Sequence, residues 1–138
     1  MAALEFRRAN DLPDAAARPS SGAPIDPAPL VGTWHSTNKA TRGISKLILA
    51  ERDGVLTVQA FGAWESAPID WGEVQGQAFA GGVGLSAGVG FKAFYDFGFL
   101  QTIVAAYLNK RILVVDTYNT FKDTSGRFNY FFRDHFYQ

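Results

Sequence analysis

"GISKLILAERDGVLTVQAF", residues 43–61, is the stretch on which the fold turns. Two runs rich in Ile, Leu, Val and Thr flank Asp53-Gly54. An Asp-Gly pair between such runs is a strong hairpin signal, because a tight two-residue turn needs backbone conformations that these residues adopt readily. Outward from the hairpin, further β-rich runs recur at regular spacing. "GTWHST" precedes it. "EVQGQAFA" follows an Asp-Trp-Gly turn, and then comes "GFKAFYDFGFLQTIVAAYLNKRILVVDTYNTF", bent at Gly98 and turned at Asn109-Lys110. "KDTSGR" closes the next hairpin before "FNYFFRDHFY". The predicted strands cover 32–37, 43–51, 55–62, 72–80, 91–98, 100–108, 111–121 and 128–137. No helical period interrupts them. Short strands joined mostly by tight turns imply a meander, and eight strands can close on themselves and remove exposed edges. The expected class is all-β, an eight-stranded antiparallel up-and-down barrel, whose interior is just wide enough for side chains or one small ligand.

Composition narrows the function. The 138 residues suit one domain. Thirteen basic residues balance thirteen acidic ones, which leaves no electrostatic footprint for nucleic acid or an anionic membrane. The chain has no cysteine, so disulfides, thiolate metal sites and thiol nucleophiles are excluded. With two histidines, His35 and His135, no metal and no cofactor is expected. No run approaches the length of a membrane span. The opening residues lack the apolar core of a secretory signal, so a cytoplasmic location is the expectation. Twelve Phe, five Tyr and three Trp lean the chain towards strands and large buried rings.

Two segments stand outside the strand pattern. Residues 1–29, with "PDAAARPSSGAPIDPAP", read as a flexible or extended N-terminal arm, followed by a barrel domain over 30–138. Leu4 to Phe6 of the arm would either hang free or pack over the barrel mouth or a neighbouring subunit. "AGGVGLSAGVG", residues 80–90, reads as a glycine-rich loop beside a pocket. It lacks the Lys-Ser/Thr and the following helix of a phosphate cradle.

Gly32-Thr33-Trp34, at the start of the first strand, resembles the Gly-x-Trp opening of calycins, the superfamily of lipocalins, fatty-acid-binding proteins and avidins. That resemblance implies a Trp packed across the closed end of the barrel against an Arg of the last strand. Trp34 and Arg133, or failing that Arg127, would form this floor, with a cation–π contact of roughly 0.5–2 kcal/mol. The pieces "GTWHSTNKATRGI", "LTVQAFGA", "DWGEV" and "FKDTSGRFNYFFRDHFY" also resemble a family of small uncharacterised bacterial proteins. In that family two cysteines flank a Pro before Asp-Trp-Gly, and here Trp64 and Ile69 stand in their places.

Three functional readings follow. The first is binding of a small apolar or aromatic molecule inside the barrel. Alternation in "GFKAFYDFGF" puts Phe91, Tyr95 and Phe97 on one face, to be joined by Trp71, Tyr107, Tyr118 and Tyr130 as an aromatic lining. The alternative is that these rings simply fill the barrel. The second reading is a cofactor-independent cyclase or isomerase of secondary metabolism. The chain resembles allene oxide cyclases, dirigent proteins and spirotetronate-type cyclases, which hold a reactive polyene or polyketide in a productive shape. Tyr95, Asp116, Tyr118 and Tyr130 are its candidate catalytic groups. The third is an interaction protein. "LQTIVAAYL" and "RILVVDTY" are apolar on both faces, so the outer face is either covered by the arm or paired with another subunit, and a homodimer is expected. Conventional acid–base catalysis ranks lower. Asp134 and His135, like His35 and Ser36, are strand neighbours that point to opposite faces, and Asp70 is a lesser candidate general acid.

Overall fold

The structure, a computed structural model, describes residues 24–138. Eight strands run in chain order around a closed barrel: β1 (Gly32–Ser36), β2 (Ile44–Arg52), β3 (Val55–Gly62), β4 (Ile69–Ala80), β5 (Gly88–Asp96), β6 (Leu100–Asn109), β7 (Ile112–Phe121) and β8 (Tyr130–Tyr137). All pairings between them are antiparallel, and β8 returns to β1 through His35↔Tyr137 and Ser36↔Phe136. This architecture is compatible with a calycin-like barrel. The Asp53-Gly54 hairpin forms as expected, with φ of 53° and 80° at its two turn residues. Strand alternation sends Leu47 and Leu49 of β2, Leu56 and Val58 of β3, and Leu113 and Val115 of β7 into one continuous core. No helix among the described residues is long and apolar enough to cross a membrane.

One end of the barrel is closed where the expected arm meets the barrel domain. A single 3₁₀ turn, Ala28–Leu30, delivers Leu30 to a fully buried position, and the Trp34 Nε1–H donates to the Leu30 carbonyl at 2.9 Å. Asp26 ties this segment to the glycine-rich region. Its N–H donates to the Ser86 carbonyl at 2.7 Å, and its carbonyl accepts from the Gly88 N–H at 2.7 Å. The Gly-rich run is thus shorter as a loop than the 80–90 expected, because β4 extends through Ala80 and β5 begins at Gly88. Leu4 to Phe6 lie outside the described residues.

The Asp-Trp-Gly segment is no turn between strands. β4 starts at Ile69, three residues before the predicted boundary, and carries a bulge where Gln59 pairs with Glu73 and Phe61 with Asp70. Gly72, at φ +88°, makes the kink, and Asp70 Oδ1 accepts from its N–H at 2.8 Å. A bulge leaves backbone groups without ladder partners. The Tyr95 hydroxyl fills that role. It accepts from the Ala60 N–H at 3.0 Å and lies within bonding distance of the Val58 and Gly72 carbonyls, at 3.2 and 2.8 Å.

Candidate functional site

Inside the barrel, at the end opposite the Leu30 floor, Trp71, Tyr95 and Phe97 meet as a cluster. Trp71 stands edge-on to Tyr95 and Phe97, at 5.5 and 5.2 Å between ring centroids, and Tyr95 stacks on Phe97 at 5.7 Å. The bulge aims Trp71 inward, across Gly62. A Cβ at Gly62 would come within 2.6 Å of the indole nitrogen. Phe91 is buried lower on β5. These four expected lining residues therefore share the interior.

The other three do not. Tyr107, Tyr118 and Tyr130 are half-exposed, and Tyr107 and Tyr118 occupy outward positions of β6 and β7. The inward positions of those strands belong to Thr102, Val104, Val115 and Asn119. Thr102 Oγ1 donates to Asn119 Oδ1 at 2.8 Å, and Asn119 Nδ2 donates to Thr117 Oγ1 at 3.1 Å. Polar atoms that satisfy one another can be buried at little cost, so the parity goes to them and the tyrosines turn outward. Tyr130 packs at the rim beside Phe121, 6.2 Å between centroids.

The expected floor pair does not form. Arg133 is held on the outer face by Asp116 in a bidentate pair, Nε to Oδ1 at 2.6 Å and Nη2 to Oδ2 at 2.8 Å. Arg127 is engaged with Asp123 at 2.9 Å and lies over the Phe121 ring. Trp34 is bonded to Leu30 instead. Asp116 points outward too, away from the interior where a catalytic role had been expected. Asp70 is exposed, and bonds from the Gly72 N–H and the Gln59 side chain hold its carboxyl below the usual range, which is the wrong direction for a general acid. His35 and His135 are exposed, with the His35 ring 5.9 Å from Tyr137.

The interior carboxylate is Asp134. It is buried, Thr41 Oγ1 donates to its Oδ2 at 2.5 Å, and desolvation pushes its carboxyl above the ordinary range. Its position is legible in "FFRDHFY", where period two puts it on the parity of Phe132 and Phe136, one residue on from the Arg133 that the Gly-x-Trp resemblance singles out. Around Asp134 the side chains of Ile44, Val115, Thr117, Phe132 and Phe136 leave a void of about 10 Å³. That is close to the room one water needs. Trp34, Leu47, Phe91, Tyr95 and Phe136 are among the buried side chains that occupy the interior.

Larger concavities open at the surface. One groove of about 420 Å³ includes Phe79, Gly90, Lys92, Ala105, Tyr107 and Asp116 in its lining. Pairing register explains its shape. Gly90 stands opposite both Phe79 and Tyr107, and Ala105 opposite both Lys92 and Asp116. Small residues thus make a floor, two half-exposed rings make walls, and a cation and a carboxylate stand at the ends of the second row. The Lys92 ammonium sits 5.8 Å from the Phe79 ring centre. Compared with known proteins, the chain matches no family model, no curated protein and no solved structure.

Proposed function

We propose that this chain is a binding module for a small, flat apolar or aromatic molecule, and that it takes this molecule on the outside of the barrel, between Phe79 and Tyr107, as a homodimer with one groove in each protomer. The groove itself carries the reading. Its volume of about 420 Å³ falls within the range of small-molecule sites, roughly 300–1,000 Å³, and its lining is mostly apolar with a few placed polar groups. The floor of Gly90 and Ala105 lets a planar ligand lie flat, and Lys92 suits a ligand that carries one acidic group. The calycin resemblance supports a binding role in general, and the rings buried in the interior favour the wall over the lumen as its place.

The test uses an aromatic sulfonate dye as the probe, titrated by fluorescence. Ala105→Leu should fill the floor and weaken binding at least tenfold, with an unchanged fold by circular dichroism. Equal affinity in Ala105→Leu would place the dye elsewhere and sink the proposal. The alternative of a cofactor-independent cyclase or isomerase is separated by the fate of the ligand. Polyene or polyketide recovered unchanged supports binding, and recovery in rearranged form supports orientation catalysis.

A further inference from the structure

The outer surface of the barrel is divided in two. Over β2–β4 it is mostly polar, carrying Lys46, Gln59, Asp70, Glu73 and Gln75, with Val55, Ile69 and Phe79 exposed towards the strand ends. Over β5–β8 the pairing register lines up Phe94, Ile103, Tyr118 and Phe131, one from each strand, in a row that crosses the sheet. All four are large side chains exposed between 44% and 50%, and the Tyr118 and Phe131 rings touch at 5.3 Å. Tyr107 stands two rows away, beyond Lys92, Ala105, Asp116 and Arg133, and belongs to the groove rather than to this row. A lipid-facing band would run round the whole barrel. This one stops at β4 and β8, as a face for a single partner does.

We infer that the partner is a second copy of this chain, seated face to face on the β5–β8 row about a two-fold axis passing between Ile103 and Tyr118. This rests on the homodimer reading above and deepens it. It does not depend on a ligand in the Phe79–Tyr107 groove. Three observations favour a second copy over a chain of other sequence. The first is area. A large aromatic side chain has roughly 150–250 Å² to bury, so the four half-exposed side chains of the row offer on the order of 300–500 Å² from each protomer. Two copies with their flanking residues then approach the ~1,200–2,000 Å² of a stable interface. The second is charge. The row beside the aromatic one reads Lys92, Ala105, Asp116, Arg133, and the bidentate Asp116–Arg133 pair leaves little to repel an identical face. The third is self-complementarity. A two-fold axis at the row's centre sets Ile103 against Tyr118 of the other copy and Phe94 against Phe131, large against large at both ends, as an isologous contact requires.

The test is sedimentation of the full chain. The wild type should be a dimer at micromolar concentration. Ile103→Glu alone and Tyr118→Lys alone should each sediment as a monomer with native circular dichroism. Mixed one to one, they should recover a heterodimer, because each glutamate then faces a lysine across the axis while the second Ile–Tyr contact stays intact. Recovery on mixing cannot come from misfolded variants. A wild type that is monomeric throughout overturns the inference, and so does one that dimerises only after residues 1–23 are deleted. A dimer that survives Ile103→Glu overturns the face, and variants that stay monomeric on mixing overturn the two-fold. Failure of dye binding in Ala105→Leu bears on the groove alone, since Ile103 and Tyr118 do not line it.

Discussion

Asp134 turns its carboxyl into the barrel, where Thr41 donates to one oxygen and burial disfavours the charge. Its folded value therefore lies above the 3.8 of the free group. Below that pH both folded and unfolded states are protonated, and the group contributes nothing to stability. As pH rises from 3.8 through the folded value, the unfolded chain ionises first, so stability falls and then levels off. Asp70, Asp96 and Asp123 act in the opposite sense, since hydrogen bonds hold their carboxyls low and their contribution is lost as pH falls below 3.8. Asp134→Asn isolates the buried group, because the amide oxygen can still accept from Thr41. It should be as stable as wild type below pH 4 and more stable at neutral pH, with the gap opening across the window above 3.8. Urea midpoints measured from pH 3 to 8 give the answer. A gap that is widest in acid would show that the carboxylate stabilises the fold as an ion.

At the scale of elements, the contrast between inner and outer rings is open to measurement. Trp34 is buried against the floor and bonded to Leu30, so Trp34→Ala should cost about 3–5 kcal/mol. Tyr118 stands half-exposed on the outer face, so Tyr118→Ala should change monomer stability by about 0.5 kcal/mol or less. Urea unfolding at submicromolar concentration, where association is suppressed, compares the two. A loss of several kcal/mol in Tyr118→Ala would put that ring inside. The strands themselves were legible from alternation and turn residues, and all eight fall close to their expected bounds. Parity was legible only where the two faces differ. β5 alternates Phe91, Lys92, Ala93, Phe94, Tyr95 and Asp96, and its inward set was read correctly. β6 and β7 are apolar on both faces, so nothing local says that Thr102 and Asn119 go in while Tyr107 and Tyr118 go out. That choice is made by a hydrogen bond between strands. The β4 bulge escaped for a similar reason, since Asp-Trp-Gly reads equally well as a turn, and what holds it in the sheet is Tyr95, distant in sequence.

At the scale of the whole molecule, the barrel is a chain of nearest-neighbour hairpins with one exception, the β1–β8 junction. Two residue pairs and the Thr37 N–H bond to the His135 carbonyl make that ladder. Beyond them the seam is held by side chains: Thr41 against Asp134, and Gln138 Nε2 donating to the Val31 carbonyl at 3.2 Å. Every other strand pair can zip from an adjacent turn at small entropic cost, whereas this one joins positions about a hundred residues apart. The order of events in folding follows from that asymmetry. The sheet should grow as an open ribbon, and closure should come last. The same seam should be the first to part in the native state, so hydrogen exchange at Thr37 and Tyr137 should proceed through a local opening of far lower free energy than exchange at Val58 or Val104. Equal protection at all four would mean that the barrel opens only as a whole. If the seam does part first, the protein is best pictured in time as a curled ribbon that is briefly unclasped, and its lifetime against proteolysis is set by a clasp a few residues long.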